Sequence, residues 1–457
     1  MNPSGSDLRS FLAAVQQAHP DQLFTISDPV TLNYVTSAMV MRLDALGISP
    51  ILLFENVQHP FRRLVTNLFS SREIIAFSIG TDAAHFFDRF GYCLDHLLPP
   101  VMGAPGQAQE VVLIGEDINL TELPVPIHFA EDAGPYITAG IIAARDPETR
   151  CGNLSFARIQ IKGPRHCGIS LHSRQHLWDY FRRAEALNRD LPVGVIIGGH
   201  PALMIAAAAK MGMDQDEYDL AGALLGEPIK LCPAKTVDID IPANAEIVLE
   251  GYLKAHVREP EGPFAEYTGY STDRSTQNVL EVTAVTMRQN PLYVDLIPGN
   301  SREHLTLGRI SKEAWVSKRM KEALPYFVDF HYPASGTHYH CFVRIHKTAE
   351  GQARQAGMLL ISLDPYVKWV MVVDNDIDPW NEQAAYWAMA TQVQADRDLT
   401  IVSGVTCNPL DPSSDGGVGA KMIVDATRPL QSSAQRISLP VEAEAQARSI
   451  LDKFLKT

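Results

Sequence analysis

The sequence predicts a mixed α/β (α+β) protein built from three units: an N-terminal α/β unit, a strand-rich centre and a C-terminal α/β unit that ends in a helix. Three observations lead there. The chain has 457 residues, more than one hydrophobic core usually organises. Helical and strand-like periodicities alternate at both ends, and between about Val111 and Pro298 β-branched runs dominate. Expected boundaries are 1–115, 116–310 and 311–457.

In the first unit, DLRSFLAAVQQAH has apolar residues at helical spacing and PILLFEN (Pro50 to Asn56) reads as a strand. The rise of Pro, Gly and polar residues in LLPPVMGAPGQAQE marks its end. In the centre, VVLIG, YITAGIIAAR, LSFARIQIKG, VGVIIGG, AEIVLEGYLKAHV and NVLEVTAVTMR are strand-like runs closed by turn residues. Two helices interrupt them: SRQHLWDYFRRAEALNR, with Ser173 as N-cap, and PALMIAAAAKM, with Pro201 in its first turn. In the last unit KWVMVVDNDID is a buried strand and WNEQAAYWAMATQVQ a helix. VEAEAQARSILDKFL (Val441 to Leu455) is an amphipathic terminal helix that should pack on a domain or a partner subunit.

The formal net charge is −14, from 39 basic and 53 acidic residues, which repels nucleic acid and anionic lipid. The first twenty residues lack a basic stretch followed by an apolar one, and the longest apolar run, Val193 to Ala209, is broken by Gly-Gly-His-Pro. A cytoplasmic protein without a membrane span is therefore expected. The six cysteines form no C-x-x-C pair and read as reduced packing residues.

Candidate chemistry lies in the centre. EGPFAEYTGY (Glu261 to Tyr270) places two acids five residues apart around a Gly-Pro turn, among aromatic residues. They are either exposed charges of a turn or a matched pair of carboxylates. In GNLSFARIQIKG, read as one strand, Asn153 and Ser155 share a face and Arg158 points away unless a bulge intervenes. An arginine in an apolar strand needs a partner. If Arg158 reaches Glu261 and Glu266 it holds one carboxylate bidentately while burial raises the pKa of the other, a proton-handling arrangement. The Gly-Gly turn before Pro201 would aim backbone N–H groups at an anion such as a phosphate. Glu217, among Asp214, Asp216 and Asp219, belongs either to a solvated helix start or to a metal site. Asn153, His176 and Glu217 together would suit Mn²⁺ or Mg²⁺. HYHCFVRIH reads as a strand with His338, His340 and His346 on its polar face, and SDGGVGAKM lacks the spacing of a phosphate-binding loop.

Four blocks, NLSFAR, SRQH, DEYDLAGALLGEP and EGPFAEYTGY, occur in the order and spacing of the UbiD family of reversible decarboxylases, which use prenylated FMN, and the chain resembles that family from about Val111 to Asp425. The resemblance implies a central split β-barrel that binds the cofactor and a C-terminal unit that builds a homodimer or an assembly of dimers, with a flavin prenyltransferase as cofactor supplier. It places Arg158, Glu261 and Glu266 in a catalytic Glu-Arg-Glu network with Glu266 as proton donor. Asn153, Ser155, Arg158, Gln175, His176, Lys210 and Glu217 fall at cofactor positions, and Asn153, His176 and Glu217 at those of a divalent metal, usually Mn²⁺. Ala206, Ala207, Ala209 and Asp425 fall at the positions that hold a monovalent cation, usually K⁺, although Gln392 stands where an Arg is common and Lys210 where Pro can occur.

His172, Tyr267 and Leu307, with Arg302 and His304 nearby, fall at the substrate pocket. That lining favours a flat aromatic or heteroaromatic acid. The chemistry is coherent, because losing CO₂ from an sp² carbon leaves a charge that no side chain absorbs and a cofactor must. The alternatives are an ordinary FMN oxidoreductase on a similar barrel, or a non-catalytic flavin- or metal-binding subunit.

Overall fold

The computed structural model describes residues 5–171, 176–434 and 436–454. The first helix, Leu8–Ala18, is set by its own sequence: the Asp7 carboxylate accepts from the Ser10 amide while the Ser10 hydroxyl oxygen accepts from the Asp7 amide. Leu8, Phe11, Leu12 and Val15, at helical spacing, bury its inner face. It packs near a four-stranded sheet of Leu23–Ile26, Ile51–Phe54, Leu64–Thr66 and, from far along the chain, Tyr293–Val294.

The centre is a nine-stranded antiparallel sheet that curls into a half-barrel. Its spine is the long pair Ile247–Glu261 and Ser275–Met287. GNLSFARIQIKG is not one strand: Gly152–Phe156 pairs with Ile141–Arg145 at one end of the sheet order, whereas Ile159–Ile161 pairs with Tyr136–Ile137 and His166–Ile169 near the other. Ala157 and Arg158 are the crossing between the two, so strand alternation does not govern where Arg158 points. The helix Pro201–Ala207 is wholly buried and capped from within, with His200 Nδ1 accepting from the Ala202 amide at 3.1 Å. That amide, expected to face an anion, is therefore already partnered.

The last unit is a five-stranded sheet in the order Phe327–His331, His340–Ile345, Trp369–Asp374, Val418–Ala426, Leu399–Thr406. Its middle strands are parallel and covered on both faces. Cys341 and Val343 pack with Ala353, Ala356 and Leu360 of the helix Gln352–Leu363. Phe342, on the opposite face, packs with Ala385 and Ala388 of Glu382–Gln392. The expected polar face of this strand is thus absent: His340 is buried against Trp369, the ring centroids 4.2 Å apart, and His338 lies before the strand with a left-handed backbone (φ 68°). All six cysteines are free, and no helix of the described residues is long and apolar enough to cross a membrane.

The N-terminal unit and the centre share one hydrophobic core, which runs from Leu8 to Ala314, while the C-terminal sheet has cores of its own. The 22-residue helix Arg302–Ala323 joins them and spans the expected boundary at 310. Its apolar residues lie on several sides because it is packed on several sides, which hides it from a search for one apolar face. The terminal helix Val441–Leu451 buries none of its residues against this chain.

Buried carboxylates tie the first two units together. Glu246 accepts two bonds from Arg9, at 2.8 and 2.7 Å, and one from Arg288. Glu303 accepts from Thr66 Oγ1 and from the amides of Asn67 and Ile297. Burial pushes the Glu303 carboxyl up to about 8. A carboxyl whose folded pKa is raised contributes stability below its ordinary range and loses that contribution as pH rises to the folded value. Thermal denaturation of Glu303→Gln against the parent should therefore show a relative gain for the variant that grows between about pH 4.5 and pH 8 and levels off above.

Candidate active site

Glu261 ends the 15-residue strand Ile247–Glu261, where Gly262, at φ 87°, turns the chain. Its carboxylate accepts both sides of the Arg158 fork, from Nε at 3.0 Å and Nη2 at 2.8 Å. Arg158 Nη1 reaches Glu266 Oε1 at 2.5 Å. The exposed-turn reading of EGPFAEYTGY is thereby excluded: one guanidinium bridges both acids. Gly168 makes room beneath, since a Cβ there would stand 3.2 Å from Glu261 Cγ.

The loop carrying Glu266 is held from several sides. The Glu266 amide donates to the Tyr270 carbonyl at 3.0 Å, and the Ala133 amide to the Pro263 carbonyl at 2.9 Å. Asp132 accepts from the amides of Ala265 and Phe129, each at 2.9 Å. Phe264 fills the floor, its ring 4.6 Å from that of Tyr136, with the Arg158 guanidinium over its face at 5.1 Å. Burial raises the Glu266 carboxyl above the usual glutamate range, and the positive charge of Arg158 opposes that rise without cancelling it. Burial also works against the charge on Arg158, but the two carboxylates outweigh it. The result is a fixed cation with one bidentate and one single-contact carboxylate, the second inclined to keep a proton.

A second group of donors lies on Gly152–Phe156. The Asn153 side-chain amide and the Leu154 backbone amide both donate to Glu217 Oε2, at 3.0 and 2.7 Å. Glu217 is 2 % exposed, because Asp216 caps the helix Glu217–Leu225 and turns its first residue inward. A solvated helix start is not what forms. Burial pushes the Glu217 carboxyl up to about 8. Asn153 Oδ1 and Ser155 Oγ are buried and lack a hydrogen-bond partner among the described residues, an arrangement that asks for a further group. The helix His176–Ala186 packs on the same strand, with His176 as its first residue. The Asn153 amide oxygen and the Glu217 carboxylate are hard oxygen donors of the kind that Mn²⁺ or Mg²⁺ takes.

A third group surrounds Tyr267. Its ring stacks on His338 at 5.1 Å, meets His304 edge-on at 6.4 Å and lies 5.9 Å from Tyr339, while its hydroxyl pairs with Asn408 Nδ2. Leu307 is buried on the adjoining helix. Arg302 goes elsewhere, to Ser49 Oγ at 2.8 Å with Asp44 nearby. Lys210 is exposed with its ammonium 5.1 Å from the Trp315 ring. Ala206 and Ala207 lie in the buried helix Pro201–Ala207 and Ala209 just beyond it, whereas Asp425 turns to Thr427, accepting from its amide and hydroxyl. His172 and Gln175 lie outside the described residues. Sequence reasoning missed Asp132, Gly168, Tyr339 and Asn408 and set His338 aside. Each meets its partner from about seventy residues away or more, and no local spacing signals that.

This fold and site define a class: a buried carboxylate–arginine–carboxylate bridge and an oxygen-rich cradle on a curled antiparallel sheet. The chain belongs to the UbiD family of carboxy-lyases. The 3-octaprenyl-4-hydroxybenzoate carboxy-lyase N-terminal, Rift-related and C-terminal domains match residues 16–94, 100–301 and 305–426. The chain is 31 % identical to anhydromevalonate phosphate decarboxylase of Methanothermobacter thermautotrophicus, over 94 % of this chain and 99 % of that one. It is 30 % identical to phenolic acid decarboxylase of Bacillus subtilis, over 98 % and 99 %. Among solved structures it is similar to the UbiD-class enzyme HmfF from Pelotomaculum thermopropionicum in complex with FMN, with a TM-score of 0.92, 37 % identity and coverage of 97 % and 99 %. An evolved dimeric form of that enzyme, in complex with prFMN, has a TM-score of 0.89 at 35 % identity and covers 98 % and 100 %.

Truncating the arginine tests the network. Arg158→Ala leaves Glu261 buried without a counter-charge and should cost about 3–5 kcal/mol of stability by chemical denaturation. Adding Glu261→Gln should return a large part of that loss, since the stranded charge is then gone.

Proposed function

We propose that this protein removes CO₂ from an aromatic, heteroaromatic or α,β-unsaturated carboxylic acid, using prenylated FMN, and that Glu266 supplies the proton that replaces the carboxylate. The observation that carries the reading is the guanidinium of Arg158 held between Glu261 and Glu266. The prenylated flavin, when bound, supplies the electron sink that no side chain offers. The chain's own residues do the rest. Arg158, fixed by Glu261, presents a cation at the reacting end of the site and orients the substrate carboxylate. The bond from the ring or vinyl carbon to its carboxylate breaks and CO₂ leaves. Glu266 then delivers its proton to that carbon, becomes a carboxylate, and regains a proton from water. Run backwards, the same steps fix CO₂, so the arrangement suits a reversible reaction.

Asn153, His176 and Glu217 would hold a divalent metal, Mn²⁺ or Mg²⁺, that anchors the cofactor phosphate, with Ser155 beside it. The orphaned Asn153 and Ser155 oxygens support this. Gln175 and Lys210 complete the cofactor set, and backbone groups at Ala206, Ala207 and Ala209 with Asp425 would hold K⁺. His172, Tyr267, Leu307, Arg302 and His304 are the substrate-side residues of this reading. A flavin prenyltransferase supplies the cofactor.

The terminal helix supports a homodimer or an assembly of dimers. Leu439, Val441 and Phe454 are 68, 76 and 78 % exposed, an apolar display that a second subunit would cover. Removing residues 440–457 should lower the mass measured by light scattering to that of a smaller assembly or a single chain. An unchanged mass would remove the helix from the interface.

Glu266→Gln tests the chemistry. Protein co-expressed with a flavin prenyltransferase should keep its bound cofactor, seen by absorbance and mass, while turnover of a responsive acid falls roughly 10²–10⁴-fold. Turnover within tenfold of the parent would overturn the assignment of Glu266 as the proton donor.

A further inference from the structure

The two histidines beside Tyr267 are each fixed in one tautomer. His304 Nδ1 lies 2.9 Å from the Gly299 carbonyl oxygen, and His338 Nε2 lies 2.9 Å from that of Leu305. A carbonyl oxygen only accepts, so in each ring the tied nitrogen carries the proton. Burial holds both rings neutral: it draws His304 below the usual histidine range, and with the charges of Lys312 and Arg309 it takes His338 down to about 3. The remaining nitrogens, Nε2 of His304 and Nδ1 of His338, are therefore unprotonated acceptors. No donor among the described residues reaches either of them.

Both side chains keep part of their surface open. Gly308 lies on the helix Arg302–Ala323, and a Cβ there would stand 3.1 Å from His338 Cε1 and 3.9 Å from Nε2, so this helix meets the edge of the tied nitrogen and not Nδ1. The nearby cations are engaged: Lys312 with Asp364 at 3.2 Å, Arg302 with Ser49, and buried Arg309 balanced by Glu313. A wall of two neutral acceptors disfavours a second carboxylate on the substrate and welcomes a donor.

We infer that the substrate carries a hydrogen-bond donor on or in its ring, a hydroxyl or a ring N–H, and that the free imidazole nitrogens of His338 and His304 receive it. The inference rests on the decarboxylase reading for its substrate, an aromatic or heteroaromatic acid, and adds the group that marks it. His338 comes from the C-terminal unit and His304 from the joining helix, so the donor is read from across the cleft that Tyr267 spans.

Matched pairs of acids isolate the donor. Pyrrole-2-carboxylate and furan-2-carboxylate differ in N–H against O, 3,4-dihydroxybenzoate and benzoate in their hydroxyls, and furan-2,5-dicarboxylate offers an anion instead. With the cofactor-loaded protein, the donor member of at least one pair should have kcat/KM higher by about tenfold or more. His338→Phe and His304→Phe, which keep a ring but remove the acceptor, should collapse that ratio toward one in at least one case. His338→Gln, whose amide can donate to Leu305 while its oxygen still accepts, should keep more of it. Preference for the dicarboxylate or for the bare rings, or a ratio unmoved by both Phe variants, overturns the inference. Calorimetric binding of the same acids to the purified protein reads the donor preference without turnover. If binding follows the donor and no acid loses CO₂, the decarboxylase reading fails alone; if binding ignores the donor, this inference fails.

Discussion

A guanidinium taken out of water sets the terms for the centre of this protein. Arg158 is tolerable there only because Glu261 meets its fork on one side and Glu266 touches it on the other. That requirement dictates local structure well beyond the three residues. The strand carrying Glu261 must end at the site, the chain must break at Ala157 and Arg158 to aim the fork, and Gly168 must lack a side chain beneath. The Ala265 amide of the Glu266 loop is in turn held by Asp132 from a separate segment. The asymmetry of the pair follows. Glu261 has two contacts to the cation and Glu266 one, and burial raises the Glu266 carboxyl above the usual glutamate range.

The same logic of satisfied and unsatisfied groups separates the two halves of the site. Around Arg158 every charged group has its partner. On the neighbouring strand Asn153 and Ser155 keep buried oxygens without one, beside a carboxyl that burial makes costly to ionise. An incompletely satisfied cradle and a fully satisfied charged network thus divide the site: one half keeps buried oxygens without a donor and the other is fixed by its own ion pairs.

Architecture adds the third element. The N-terminal unit and the centre behave as one packed body because buried Glu246 and Glu303 and a shared core join them, whereas the C-terminal sheet has cores of its own. Tyr267 follows Glu266 directly in the chain and reaches His338, Tyr339 and Asn408 on the C-terminal side. The loop that carries Glu266 thereby ties the arginine network to residues distant in sequence.

By itself the sequence determined the three-part α/β organisation, most strands of the central sheet and the family, because these are carried by local periodicity and by contiguous blocks such as EGPFAEYTGY. It also named Arg158, Glu261 and Glu266, since an arginine among apolar residues needs a carboxylate and two acids stood nearby. Only the tertiary structure decided how they meet: GNLSFARIQIKG is two strands and not one, so the direction of Arg158 was not readable from alternation. Glu217 turned inward although its acidic neighbours suggested solvent, because Asp216 took the cap. His338 left the strand face its spacing implied and joined Tyr267, because a sheet covered on both sides has no polar face to offer and the left-handed turn before the strand carries it into the cleft. Contacts between residues far apart in the chain depend on how packed elements are placed, and local spacing carries no record of that placement.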